Sequence, residues 1–458
     1  MNEKEEKFLN ERKNQLDQIE IPSRIDDYIL SGLRKGKKNR TSKTGYWKKA
    51  SLLVACLLLF LVGSIRFSPT VAAQMGKVPI FEGLVKLITM DKGLKLALEN
   101  DFIRPIGVFD EHDGIKFTID ALMADESRIL LFYTMENDGS VKEDVFINGI
   151  EFTDENDHPL RNYGVSYGSS NFESTWVSEE GVIDISMQEG ASFPETIYAK
   201  VKLARAAGEE STSDQRHSAE VISTWNMKVP IDKNLFTGLK EVHELNETVE
   251  IGGQKFTFKE MVIHPTRIGL EVEYDPDNTK KIFQFDDIML VDEKGESFGT
   301  INNGVSASHI DENRVILYFQ SNYFSKPENI YIKGTSVRAL EKKSLHVEVD
   351  LEQGKLLNLP DERLTFKGVR KSTEGLVLDF NLKITDPSDK DRHFDLFSST
   401  YKDASQKEYF SNSSGSSSDG DTQYQQYYIE DRPYESPLIL TINDYPSRIT
   451  GSFNIKVK

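Results

Sequence analysis

The sequence predicts a mainly β chain: a short helical tail, one membrane-spanning helix, and three tandem β-sandwiches. Three observations carry this expectation. Beyond about residue 100 the chain alternates apolar and polar residues with a period of two, the mark of half-buried strands. An opening motif recurs as GIKFTIDALMADESRILLF from Gly114, GQKFTFKEMVIHPTRIGLEV from Gly253 and, more weakly, RLTFKGVRKSTEGLVLDF from Arg363. Far upstream, Ala50 to Ile65 is a run of sixteen uncharged residues.

Each opening motif reads as two strands around a short turn. In the first two copies an Arg-Ile pair follows the motif's lysine by twelve residues, at Arg128 and Arg267; the third has Leu376 where the isoleucine was. A middle landmark also recurs: FPETIYAKV at 193, KPENIYIKG at 326 and YESPLILTI at 434. A closing strand with a large residue, an apolar residue and a valine at alternate positions occurs at Trp225–Val229, Leu345–Val349 and Phe453–Val457. Taken in chain order, these landmarks give sandwich domains over 101–230, 231–351 and 352–458. Each has room for its own core, so the array reads as beads rather than a solenoid. The polar stretch SNSSGSSSDGDTQYQQYY from 411 reads as a loop plus a polar strand.

The uncharged run is the core of an expected transmembrane helix over 48–67. It is short for a span of about 20 residues, but its flanks extend it. Trp47, Lys48 and Lys49 on one side and Arg66 on the other are the expected membrane anchors, by headgroup seating and by snorkelling. Val71-Ala72-Ala73 is an acceptable signal-peptidase site. The forty-nine residues ahead of the run argue instead for an uncleaved span. Eight basic residues from Arg34 to Lys49, with no acid among them, place the N-terminus in the cytoplasm and residues 68–458 outside.

The tail, residues 1–47, reads as two helices, one over 3–18 that is polar almost all round and an amphipathic one after it. Ser23 caps the second, Asp26 and Asp27 lie in its first turn, and Ile25, Ile29, Leu30 and Leu33 form its apolar face. Such a face either docks a cytoplasmic protein or lies on the inner leaflet, and amphipathicity does not separate the two. After the span, 68–100 reads as a helical juxtamembrane segment. Phe81, Leu84, Val85 and Ile88 share one face, and Gly93 interrupts the pattern.

The formal charge of −18 is distributed unevenly: residues 1–66 carry +6, which leaves −24 for residues 67–458. An acidic body argues against nucleic acid as a partner. The one cysteine, Cys56, can form neither an internal disulfide nor a cysteine zinc site. Gly164-Val165-Ser166-Tyr167-Gly168 matches the G-x-S-x-G elbow of serine hydrolases, but a β pattern surrounds it and similar Gly/Ser steps recur near 304 and 415. It is therefore expected to be a shared turn. The eight histidines are scattered, and His264-Pro265 reads as a structural turn. Asp275, Asp277, Asp419 and Asp421 sit in acidic turns outside any EF-hand pattern. No catalytic residue, metal or cofactor is expected.

The stretch RFSPTVAAQMGKVPIFEGLVKLI…DKGLKLALENDF, leading into GIKFTIDALMADESRILLFYTMEN, resembles a family of membrane-anchored proteins of Gram-positive bacteria. Its shared piece is a domain of unknown function, and its members are often labelled anti-sigma factors. The resemblance covers roughly residues 45–230, and the later units look like the immunoglobulin-like domains that often follow. It implies a tail that binds a cytoplasmic sigma factor and an ectodomain that senses an unidentified extracellular ligand. The zinc-binding His and two Cys of many anti-sigma tails are absent here. The competing expectation is an envelope adhesion or scaffold protein that uses the span only as an anchor.

Overall fold

The computed structural model describes residues 79–458, apart from 143–144, 170–176, 189–190, 192–193, 206–220, 302–304 and 374. The expected span and tail, with Ile25, Ile29, Leu30, Leu33, Trp47, Lys48, Lys49 and Arg66, lie outside the described residues. Among the described residues, no helix is long and apolar enough to cross a membrane. What is described is mainly β, with six antiparallel sheets and two short α-helices.

The helices come first, α1 (Pro79–Ile88) and α2 (Lys92–Glu99). Leu84 and Ile88 are buried, while Val85 is 44% exposed. The helical break falls at Thr89–Asp91 and not at Gly93. Asp91 caps α2 by accepting from Leu94 N at 3.0 Å. Gly93 is buried within α2, where a Cβ would stand 2.3 Å from Ser321 N. Its role is close approach, not interruption.

Eight strands build the first module: β1 (Arg104–His112), β2 (Ile115–Ala124), β3 (Arg128–Asn137), β4 (Val145–Thr153), β5 (Tyr163–Ser169), β6 (Ser178–Met187), β7 (Thr196–Arg205) and β8 (Val221–Pro230). They form one sheet in the order β1-β2-β3-β6-β5 and another in the order β4-β7-β8. Alternation on β2 sends Ile115, Phe117 and Ile119 into the core between them. Trp225 of β8 is fully buried there and donates Nε1–H to Ile115 O at 3.1 Å. Ile231 and Phe236 also belong to this core, so the module runs past residue 230.

The second module repeats the plan with β9 (Glu241–Ile251), β10 (Gln254–Ile263), β11 (Arg267–Tyr274), β12 (Lys280–Phe285), β13 (Met289–Asp292), β14 (Ser297–Phe298), β15 (Ala307–His309), β16 (Arg314–Gln320) and β17 (Ile330–Glu341). One of its two sheets, β9-β10-β11-β16-β15, copies the first module's order. The remaining strands are β18 (His346–Asp350), β19 (Lys355–Asn358), β20 (Leu364–Ser372), β21 (Gly375–Lys383), β22 (Phe397–Lys402), β23 (Glu408–Phe410), β24 (Ser413–Asp419), β25 (Thr422–Ile429), β26 (Leu438–Ile442) and β27 (Arg448–Lys456). Sheets β20-β21-β25-β24 and β19-β18-β26-β22-β23 enclose a third core. The polar stretch from 411 forms the β24–β25 hairpin, strands on both sides of a turn rather than a loop and one strand.

The last strand corrects the domain boundaries. β27 does not close the third module. It pairs antiparallel with β17, from Tyr331↔Lys456 to Arg338↔Arg448, and Phe453 enters the second core. β18, which the sequence assigns to the second module, pairs with β26 and puts Val347 and Val349 into the third core. The third module is thus an insertion between β17 and β27, and the expected boundary at 351/352 falls inside it. The physical reason is that the closing strands are interchangeable by pattern. Each lies antiparallel beside its landmark strand, β8 on β7, β27 on β17 and β18 on β26. Alternation fixes which face a strand buries, but not which of two equivalent slots it enters.

Candidate functional site

The repeated Arg-Ile pairs meet in space. Arg128 opens β3 after the β2–β3 turn, and Arg267 opens β11 after the β10–β11 turn. The turns close alike: Asp125 N donates to Arg128 O at 3.0 Å, and His264 N donates to Arg267 O at 2.9 Å. Arg128 reaches into the second module, donating Nη2–H to Thr266 O at 2.6 Å and Nε–H to Thr266 Oγ1 at 3.1 Å. Arg267 reaches the other way, with Nη2–H to Ser127 O and Nε–H to Ser127 Oγ at 3.1 Å. Each arginine therefore grips the carbonyl and hydroxyl of the residue just before the other arginine. The result is a reciprocal clasp of two forks, a geometry that only guanidinium supplies.

Carboxylates complete the clasp. Asp125 Oδ2 accepts from Thr266 N and Thr266 Oγ1, both at 2.7 Å. Asp184 Oδ2 accepts from Arg128 Nη1 at 3.1 Å, and Ser186 Oγ accepts from Arg267 Nη2 at 2.8 Å. The Arg267 guanidinium also lies 3.6 Å from the centre of the Tyr318 ring. Asp125, Arg128, Thr266 and Arg267 are fully buried. Burial pushes the Asp125 carboxyl up, but the His264 ring and the hydrogen bonds from Ser127 and Thr266 outweigh it and hold the group below the usual carboxylate range. Burial lowers both the His264 imidazole and the Arg267 guanidinium. Asp184 Oδ1, Arg267 Nη1 and His264 Nδ1 are buried without a hydrogen-bond partner among the described residues. The third module has Gly375 in the arginine's place and can make no such grip.

The helices are tied to both modules at this clasp. The Asp91 carboxylate lies 3.9 Å from Arg128 Nη2. Burial raises the Asp91 carboxyl despite Arg128. Lys92 N donates to Gln320 Oε1 at 3.1 Å, and Gln320 Nε2 returns to Met90 O at 3.3 Å. Phe324, from the loop after β16, packs on Phe102 of the first module with ring centres 5.6 Å apart.

A second charge cluster lies where the chain crosses twice between the second and third modules. Arg338 of β17 and Arg448 of β27 are direct cross-strand partners, an arrangement that is unfavourable for like charges. Four aspartates offset it. Arg448 bonds Asp286 at 3.0 Å, Asp386 at 2.8 Å and Asp389 at 2.7 Å, and Arg338 bonds Asp444 at 2.9 Å. Burial, outweighing Arg338, pushes Asp444 up to about 6.

Beside the clasp, a cleft of about 390 Å³ opens between the end of α1 and the β3–β6–β5 face. Leu87, Leu94, Leu130, Phe132 and Val182 line its apolar wall, and Asp91, Arg128 and Asp184 line its polar end. Ser166, the central serine of the G-x-S-x-G match, also lines it. The motif is edge strand β5, paired with β6 from Tyr163↔Met187 to Ser169↔Gly181, and not the expected turn. Extended edge backbone does not present a hydroxyl as a strand–turn–helix elbow does, and among the described residues no histidine lines the cleft. Ser416, on a second edge strand, β24, contacts His393 from the connection ahead of β22, and both are exposed.

His264 is buried at the clasp, with its carbonyl accepting from Ser321 Oγ at 2.5 Å. Asp275 serves its own turn by accepting from Asp277 N at 2.9 Å. Among the described residues, no group of three or more His, Cys, Asp or Glu could hold a metal ion. The clasp was missed as a site at the sequence level, although its signal, Arg-Ile at the same offset in two copies, was visible there. It read as strand pattern because nothing in it showed that the two turns touch.

On β2, Asp120 accepts from Thr134 Oγ1 at 2.7 Å. Burial pushes its carboxyl up to about 6, opposed by Thr134 and aided by Glu136 and Glu180. The folded state therefore binds this proton more tightly than the unfolded chain. The resulting stabilisation is full below about pH 4 and is lost as pH rises through about 6. Asp120→Asn keeps the acceptor and removes the charge. It is expected to stabilise the protein by roughly 1–2 kcal/mol at pH 7.5, after allowance for partial exposure, and by nothing below pH 4. Urea unfolding at the two pH values checks it; equal gains at both would rule it out.

Fold and clasp together define a mainly β, multi-module chain whose first two modules are locked by buried charge. Two family models match it in pieces. Residues 42–137 match a "Domain of unknown function (DUF4179)", and residues 240–356 match a "Family of unknown function (DUF5643)". No curated protein matches. A solved structure described as "The crystal structure of the conserved domain protein from Bacillus anthracis" aligns over 56% of this chain and 84% of that one. At 13% identity and a TM-score of 0.39, that likeness is too low to carry an argument.

Proposed function

We propose that the protein is a single-pass membrane regulator of the anti-sigma type. Residues 1–47 hold a cytoplasmic sigma factor, residues 48–67 span the membrane, and three immunoglobulin-like sandwiches outside sense a condition of the envelope. The observation that favours signalling over passive anchoring is the fixing of α1 and α2. These helices follow the apolar run and are bound to both the first and the second module, through Asp91 near Arg128 and Lys92 on Gln320. A plain anchor has no need of such a joint, whereas a transmitter must couple its β body to the segment that leads to the membrane.

The test is at the tail. Ile29→Asp with Leu33→Asp removes two apolar anchors from the face formed with Ile25 and Leu30. The change is expected to release a co-purifying sigma factor and to raise transcription of its targets several-fold. A wild-type tail that retains no sigma factor, together with unchanged transcription on deleting residues 1–47, would leave the anchor-and-scaffold reading in its place.

A further inference from the structure

We propose that the cleft between α1 and the β3–β6–β5 face binds a small organic monocation, an ammonium or guanidinium carried on an apolar body. The cleft's volume, about 390 Å³, lies in the range of small-molecule sites, and most of its wall is apolar. Its polar end has an excess of acid. Asp91 and Asp184 face one arginine, Arg128, and Arg128 is already committed to Thr266 and to Asp184 Oδ2. Asp184 is 2% exposed, and its second carboxylate oxygen has no partner among the described residues. A buried carboxylate oxygen left unpaired is costly, and a donor of positive charge arriving from the cleft would satisfy it. The Asp91 carboxylate is the more accessible of the two, with 14% of its side chain exposed; its Oδ1 caps α2 on Leu94 N, and its Oδ2 makes a long contact to Arg128 at 3.9 Å.

The chemistry selects among ligands. An anion would meet two carboxylates at the closed end, and a neutral apolar molecule would leave Asp184 Oδ1 as it is. The remaining basic residue of the lining, Lys86, is exposed and competes with neither carboxylate for a ligand in the cleft. A bound cation would touch Asp91, and so the joint between α1 and α2, together with the acid that holds Arg128 in the clasp. The site stands on the geometry of the cleft alone and does not depend on what residues 1–47 bind.

The experiment is photo-crosslinking of the purified full chain with a diazirine-bearing phenethylamine, mapped by peptide mass spectrometry. Labelling is expected on segments 86–94, 128–132 and 182–184. Unlabelled phenethylamine should compete it away, while phenethyl alcohol, which has the same body without the charge, should compete at least tenfold less well. Asp91→Asn keeps the cap on Leu94 and removes the charge; it should cut labelling at these segments at least tenfold. Val182→Phe, which fills the cleft from its apolar wall, should do the same. Thermal unfolding of each variant shows whether it is folded, and the labelling of whichever variant is folded decides. Equal competition by amine and alcohol, labelling elsewhere only, or labelling within twofold of wild type in a folded variant would overturn the proposal.

Discussion

Removing residues 447–458 is expected to unfold the second module and leave the third folded. The last strand of the sequence does not belong to the third module. β27 supplies a central ladder to β17, and Ile449, Phe453, Ile455 and Val457 pack on the second core. Phe453 lies among Phe256, Phe258 and Phe285, with ring centres 5.9, 5.5 and 6.1 Å away. Deleting the strand exposes this aromatic cluster and leaves one side of β17 without partners. The point version, Phe453→Ala, should cost about 3–5 kcal/mol. Hydrogen exchange reads the location. Protection should fall in β9–β11 and β17 and persist in β20, β21 and β25. Loss confined to β20–β26 would show that β27 closes the third module after all. By the same logic, a fragment of residues 231–351 lacks its own closing strand, carries β18 without its partners, and should fail to unfold cooperatively. A fragment of residues 231–458 should succeed.

Arg128→Ala and Arg267→Ala are each expected to destabilise the pair of joined modules by about 3–5 kcal/mol, the cost of leaving buried groups unpaired. Loss of Arg128 strands Asp184 and the Thr266 carbonyl; loss of Arg267 strands the Ser186 hydroxyl and takes one of two donors from Ser127 O, which keeps Met187 N at 2.9 Å. Because both grips serve one joint, the double variant should cost clearly less than the sum. Lysine should not rescue either position, since a point ammonium cannot reach a carbonyl and a hydroxyl together as the fork does. Guanidinium unfolding of the single and double variants measures all of this. Single losses under 1 kcal/mol, or strict additivity, would mean that the clasp is incidental contact.

The β8, β27 and β18 motifs show how far a sequence can be read. Alternation and three repeated landmarks were enough to announce β modules and the opening hairpins β2–β3, β10–β11 and β20–β21. Such patterns are local, and side-chain period and turn chemistry act within a few residues. The helical segment before β1 was legible for the same reason. Its break was misplaced, because Gly93 answers to the Ser321 backbone, which is remote in sequence.

What only the tertiary structure decided was partnership. Two closing strands of like pattern entered each other's expected modules, and no local rule separates equivalent slots. The serine of Gly164–Gly168 became part of an edge strand beside a cleft, because β6 offered a ladder there. Arg128 and Arg267 were visible as a repeat and invisible as a pair, since a buried charge betrays itself only through the carboxylates and carbonyls that surround it. The sequence by itself determined the β class, the three opening hairpins and the helical segment before β1, because each rests on a local period or turn. Which copies touch, and where charge is enclosed, followed from contacts between residues far apart in the chain.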